Sequence, residues 1–177
     1  LGRMIQTQFA DSGTYNGVKP CAIVRSKPKL LVAVDGASSP HTTRRGGYCA
    51  IIQDEPGNEF VIRGHRDNVT NNRMECVAVL EALRMINTFF SVSSDIVFRC
   101  DSKNVIGWVH GFNTKTNLPD RAKPFKRKDA VIAVLCAQID ELIYEKNHLV
   151  NFEWVRGHNG DELNERCDAI AREEARG

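Results

Sequence analysis

The chain has little that would assign it to a specialised class. No uninterrupted apolar run in its 177 residues approaches the roughly 20 needed to cross a bilayer, and the first residues hold no signal-peptide core. The expectation is a protein without membrane attachment. Its six cysteines (Cys21, Cys49, Cys76, Cys100, Cys136, Cys167) include no C-x-x-C pair, and no His stands at zinc-finger spacing, which argues against a zinc site. Most lie in apolar stretches, such as Phe98-Arg99-Cys100 and Val134-Leu135-Cys136, where a free thiol behaves as a small buried hydrophobe. That pattern predicts a reducing intracellular compartment, cytoplasm or nucleus. The net charge of +2 is too small to argue by itself for a nucleic-acid partner, so the placement of charge has to carry any such case. There is no internal repeat and no low-complexity tract. A composition of 42% hydrophobic and 26% charged residues is that of an ordinary globule, and the length suits one domain.

Residues 1–28 carry little apolar periodicity and several turn-formers, and read as an N-terminal extension. The chain begins with Leu1, which suggests a piece or a processed product of something longer. From residue 29 to 177 the pattern is that of a folded domain. Leu30-Leu31-Val32-Ala33-Val34 is a short apolar run closed by Asp35-Gly36, as in a strand buried on both faces. Tyr48 to Gln53 and Phe60 to Arg63 flank the turn-like Asp54-Glu55-Pro56-Gly57-Asn58 and predict a hairpin. Between Asn71 and Asn87 the period changes. Cys76, Val79, Leu80, Leu83 and Ile86 fall on one helical face. A strand is predicted at 95–100, a short helix at 103–110, a longer one at 129–145, a strand at 150–155 and a closing helix at 163–175. The order, βββαβαβα, implies an α/β protein with a mixed five-stranded sheet and helices on its faces.

Two acids directly follow apolar strands, Asp35 after Val34 and Asp101 after Cys100. In open α/β sheets ligand sites gather beyond the carboxyl ends of strands, so the two are candidates for one site. Either alone reads equally well as a helix cap. Glu75 stands in the first turns of a helix, where complementing the helix dipole is explanation enough. Asp168, on the last helix, has an ion-pair partner available in Arg172 at i+4. Brought together, four carboxylates would repel one another unless cations were bound, and all-oxygen sites select Mg²⁺ or Mn²⁺. Such a site points to phosphoryl transfer.

Five separated fragments resemble the type 1 ribonuclease H family, in order: Val34-Asp35-Gly36, Gly46-Gly47-Tyr48, Thr70-Asn71-Asn72-Arg73-Met74-Glu75, Asp101-Ser102, and Gly157-His158-Asn159-Gly160 running to Asn164-Glu165-Arg166-Cys167-Asp168. The likeness extends over roughly residues 30 to 175. It implies the ribonuclease H-like fold and an endonuclease that cuts the RNA strand of an RNA–DNA hybrid. It also implies two Mg²⁺ ions, about 4 Å apart and replaceable by Mn²⁺, flanking the scissile phosphate. Asp35 would bridge them and Glu75, Asp101 and Asp168 would complete the ligands, while His158 would assist proton transfer or product release. No small-molecule cofactor is implied. By itself His158 is only a loop histidine.

The same resemblance places Gly36, Asn71, Asn72 and Lys103 among the substrate contacts, the two amides reading 2′-hydroxyls in the shallow minor groove near the cut. Helix capping is the other role open to the asparagines. Thr70 resembles a DNA-phosphate-pocket threonine, yet Asn68 stands where many relatives have Arg, with Arg66 nearby as a substitute. Trp108 resembles the aromatic that packs on deoxyribose; core packing is its alternative. Residues 115–128 hold Lys115, Arg121, Lys123, Lys126, Arg127 and Lys128 against Asp120 alone. Their position matches a basic protrusion that grips the hybrid in some family members, with Lys126, Arg127 and Lys128 as the expected phosphate contacts. A monomeric unit, free-standing or within a longer chain, is the expectation. The alternatives are the ribonuclease H domain of a reverse transcriptase or retroelement polyprotein, a hybrid-binding module without catalysis, and another nuclease on the same fold.

Overall fold

The computed structural model describes residues 26–39, 44–90, 92–157 and 159–177. Most of the expected extension and His158 therefore lie outside the described residues. Three strands, β1 (Lys29–Ser38), β2 (Gly46–Asp54) and β3 (Glu59–Arg66), form an antiparallel meander. The β2–β3 turn forms where the composition predicts it. Gly57 takes a φ of +90° that suits glycine, while Asp54 Oδ1 accepts the Asn58 N–H at 2.7 Å. Helix α1 (Asn71–Phe89) leads to β4 (Asp95–Cys100), and helix α2 (Lys103–Val109) to a two-stranded ribbon, β5 (Phe112–Asn113) with β6 (Leu118–Pro119). Helix α3 (Ala130–Glu145), strand β7 (Leu149–Trp154) and helix α4 (Glu162–Arg176) complete the chain. The sheet order is β3-β2-β1-β4-β7, with β1, β4 and β7 mutually parallel. The ribbon has no counterpart in the sequence reading, because two-residue strands leave no periodicity to detect.

Alternation along β1 and β2 divides the core in two. Leu30, Val32, Val34, Ala50 and Ile52 pack with the apolar face of α1, where Cys76, Val79, Leu80, Leu83 and Ile86 are buried. On the other side Ala33, Cys49 and Ile51 meet Leu163, Cys167 and Ala171 of α4. Period 2 in the strands and period 3.6 in the helices thus agree on helices covering both faces. The cysteines behave as small apolar residues: Cys49, Cys76, Cys100, Cys136 and Cys167 are all free and buried. No helix among the described residues is long and apolar enough to cross a membrane.

The first strand runs further than the apolar run suggests. β1 pairs with β4 only as far as Ala33 opposite Arg99, but its pairing with β2 continues to Ser38 opposite Gly46. One edge of β1 is thereby released from the parallel ladder while the other stays hydrogen-bonded. Asp35 lies within a strand rather than after one, at the point where β1 and β4 part.

Candidate active site

Three elements converge at that fork. Gly36 faces the first turn of α1 so closely that a Cβ would overlap the backbone of Met74 and Glu75. Its missing side chain lets the helix close on the strand and sets Glu75 beside Asp35. Thr70 caps the helix, its Oγ1 accepting from Arg73 N at 3.4 Å. Arg73 ties the same turn to α3, donating through Nε and Nη2 to Asp129 Oδ2 at 3.1 and 2.9 Å. Asp101 follows β4, and its carbonyl accepts from Trp154 Nε1 at 3.0 Å, which fixes the turn between β4 and α2.

Ligand oxygens of Asp35, Glu75 and Asp101 all lie within 4.8 Å of one another. Asp35 and Glu75 are buried, 7% and 8% exposed, and Glu75 Oε2 has no hydrogen-bond partner. Burial, with the charge of Asp101 next in weight, pushes the Asp35 carboxyl up to about 8, against the Gly36 N–H that donates to its Oδ1 at 2.7 Å. Glu75 rises to about 7, again chiefly by burial, with the Ser102 hydroxyl opposing and Asp101 adding to the shift. An orphaned carboxylate oxygen among crowded acids is the pattern a hard divalent cation satisfies. Asp168 lines the same open cleft of about 460 Å³ with Asn71, but stands outside the close set; its Oδ1 accepts from Arg172 Nε at 2.8 Å.

A family model described as RNase H matches residues 27–176. The chain belongs to the ribonuclease H family. Among curated relatives, the ribonuclease H of Maricaulis maris is 35% identical over 154 residues, spanning 84% of this chain and 96% of the relative. That of Polaromonas naphthalenivorans is 32% identical over 146 residues, spanning 82% and 87%. Two solved structures share the fold. The N-terminal RNase H domain of a Mycobacterium tuberculosis protein superposes with a TM-score of 0.66 at 20% identity, covering 84% of this chain and 94% of that one. LC11-RNase H1, crystallised with an RNA/DNA hybrid, gives 0.66 at 20%, covering 83% and 96%. Membership of the family makes this chain an endoribonuclease acting on the RNA strand of RNA–DNA hybrids.

The remaining expected site residues of this ribonuclease H fall into distinct surroundings. Asn71 donates from Nδ2 to Glu75 Oε1 at 3.3 Å, so one amide is already turned toward the acids. Asn72 is half-buried on the adjoining position of α1. Asn68 has a φ of +55°, a left-handed conformation that asparagine accommodates better than arginine, and Arg66 pairs with Glu81 at 3.2 Å. Lys103 Nζ lies 4.4 Å from the centroid of the Trp154 ring and donates to Asn117 Oδ1 at 2.9 Å. Trp108 packs partly buried against the core, consistent with the packing alternative. The basic segment is no free protrusion. Phe125 seats over Gly107 with its N–H on the Gly107 carbonyl at 2.8 Å, and Arg121 donates to the Val150 carbonyl. Lys126, Arg127 and Lys128 are all exposed, but Arg127 is anchored by its guanidinium to the Trp108 carbonyl.

Sequence reasoning missed Trp154 and gave Gly157 only as part of a family-like fragment, with no role of its own. A Cβ on Gly157 would come 2.8 Å from Asp101 Oδ2, so the residue preceding His158 lies against the acidic set. The rim residues Ser38, Ser39 and Arg176 were also missed. For Arg176 a signal existed: Asp168, Arg172 and Arg176 follow one another at i+4 on one face of α4.

Proposed function

We propose that Asp35, Glu75 and Asp101, joined by Asp168, hold two Mg²⁺ ions, with Mn²⁺ as a substitute, and that residues 29–177 are the catalytic unit. The close approach of three carboxylates, one with an orphaned buried oxygen, carries this reading. When bound, the ions supply charge compensation at the scissile phosphate and lower the pKa of the attacking water. The chain's own residues do the rest. Gly36 keeps β1 flush with α1 so that the acids stay close, and the ring of Trp154 holds the Asp101 backbone. Asn71, already bonded to Glu75, is placed to direct its amide at a ribose hydroxyl next to the cut, with Asn72 beside it. Thr70 supports the site as the cap of α1, and Lys103 as a cation at the start of α2. For His158, which lies outside the described residues, the proposed proton-transfer or product-release role rests on the family-like fragment Gly157-His158-Asn159-Gly160.

The substrate lies across the open cleft, as expected for a family with a relative crystallised with an RNA/DNA hybrid. Lys126 and Lys128 contact its phosphates, and Trp108 borders that surface. Five buried free thiols support a reducing compartment. The deciding experiment compares cleavage of end-labelled RNA in hybrid, single-stranded and duplex-DNA controls, with Mg²⁺ or EDTA. Hybrid-only, EDTA-sensitive cutting is expected; equal cutting of unpaired RNA removes the substrate assignment. For the metal set, Asp101→Asn should lose at least about a thousandfold in rate, roughly 4 kcal/mol, while hybrid affinity in Ca²⁺ changes far less. Near-parental cleavage by that variant overturns the ligand set, and a parent that binds but never cleaves favours the non-catalytic module.

A further inference from the structure

Helix α3 carries apolar side chains on two faces. Ile132, Leu135, Cys136 and Ile139 are buried inward against α1 and α2. On the opposite side Val131, Val134 and Tyr144 are 45%, 58% and 86% exposed, with Ala130 and Ala137 exposed between and beside them. These positions recur at three- and four-residue steps as far as Ala137, and Asp140 and Glu141 fill the next exposed turn before Tyr144, so the face is apolar over its first half and acidic-edged over its second.

Charge says which helix. Lys126 and Lys128 stand exposed at the N-terminal end of the face, and Glu141 and Glu145 stand exposed at its C-terminal end. A second copy of α3 laid antiparallel on the first brings the basic end of each onto the acidic end of the other. It also opposes the two helix dipoles favourably. The two-fold axis then falls near Ala137, where a small side chain permits close approach, and Val131 of one copy comes opposite Tyr144 of the second. A parallel pairing would set like charges together. We propose that this face is an isologous dimer interface, in which two copies pair through antiparallel α3 helices. One helix pair buries less than a standard stable interface, so the dimer is weak and reversible.

Because the interface uses Lys126 and Lys128, a saturating RNA–DNA hybrid competes with it and returns the protein to monomers. That competition rests on the proposed hybrid contacts; the dimer itself does not.

Sedimentation velocity of the full chain from micromolar to millimolar concentration tests the proposal. A reversible monomer–dimer equilibrium that weakens with salt is expected. Val134→Glu, at an exposed position outside the cleft, should weaken it at least about tenfold and leave hybrid cleavage at the parental rate. Lys126→Glu with Lys128→Glu should weaken it similarly. Adding Glu141→Lys and Glu145→Lys to that double variant should restore it, because the swapped ends again complement each other. A chain that stays monomeric at millimolar concentration overturns the proposal, as does a dimer indifferent to Val134→Glu. Rescue failure by the charge swap overturns the antiparallel arrangement.

Discussion

The carbonyl oxygen of Trp108 accepts from both Nε and Nη2 of Arg127, at 2.9 and 2.7 Å. One guanidinium thus caps the open C-terminal end of α2 and fixes the strap that follows the β5–β6 ribbon. Arg127 also reaches Asp140 of α3 at 3.4 Å. Within the basic cluster, this residue has an internal structural role that its lysine neighbours lack.

Different consequences follow for the three bases. Arg127→Ala is expected to lower stability by about 1–2 kcal/mol through loss of charge-assisted bonds to the carbonyl. Lys126→Ala and Lys128→Ala should leave the denaturation midpoint in place. Each should instead reduce the slope of log affinity for hybrid against log salt by up to about 1, since every phosphate contact releases counterions. Urea denaturation and salt-dependent binding distinguish the two roles, and an unchanged salt slope in both lysine variants would remove them from the substrate surface.

Asp35→Asn should separate activity from stability. The amide cannot serve as an anionic ligand, so cleavage falls at least about a thousandfold. In EDTA above about pH 8, where Asp35 is ionised, the same variant should melt higher than the parent, because it removes a buried charge facing Asp101 and Glu75. A lower melting temperature under those conditions would show that the acids are not in mutual repulsion.

The metal-free protein should also lose stability as pH rises. Asp35 and Glu75 are held at about 8 and about 7 in the fold, above their ordinary values of 3.8 and 4.5. Between those limits the folded state retains more protons than the unfolded chain, so stability is fully present below about pH 4 and falls as pH rises through 8. Saturating Mg²⁺ should flatten this fall by compensating the ionised acids. Chemical denaturation at pH 5, 6.5 and 8, with EDTA or Mg²⁺, gives the sign directly.

His148 predicts the opposite slope at a distant position. Its Nδ1 accepts the Ser94 N–H at 3.0 Å, and Nε2 lies 2.8 Å from Asn87 Oδ1, which joins the end of α1 to the starts of β4 and β7. Nδ1 cannot both accept that bond and carry a proton. Burial accordingly holds the imidazole below its usual 6.5. Its contribution is present above pH 6.5 and is lost as pH falls through the lowered folded value. In His148→Gln, the part of the acid-induced destabilisation below pH 6.5 that is absent in the variant measures it; identical pH profiles would exclude the role.

Gly36→Ala should be costly out of proportion to one methyl. The added carbon meets the backbone of α1 rather than a movable side chain, so the helix must shift away from β1. A stability loss of at least about 2 kcal/mol is expected. Cleavage should fall further than the fraction unfolded explains, because the shift carries Glu75 away from Asp35. Activity normalised to folded protein tests that distinction.

The sequence made the sheet and the long helices legible because buried alternation and helical periodicity are local signals. Val32 and Val34 on one face with Ala33 on the other could be read from five residues. It could not show where β1 leaves β4, since that depends on Arg99 and on the continuing partner Cys49, far away in the chain. Glu75 and Asp168 had no local mark and were picked out by resemblance. The anchoring of Arg127 depends on the Trp108 carbonyl, a backbone acceptor whose availability no side-chain pattern encodes. Trp154 was read only as the end of a strand, although its indole supports Asp101.

The parting of β1 from β4 beyond Ala33 also bears on when the enzyme becomes competent during folding. Asp35, Glu75 and Asp101 come from a central strand, a helix and a second strand joined by a crossover, and parallel pairing between those strands requires a long loop to close first. A chain that has formed only its β1–β2–β3 meander has one of these acids in position and no partner for it. On the proposed ligand set, metal affinity is therefore a property of the completed topology, arriving with the last long-range contacts rather than accumulating residue by residue.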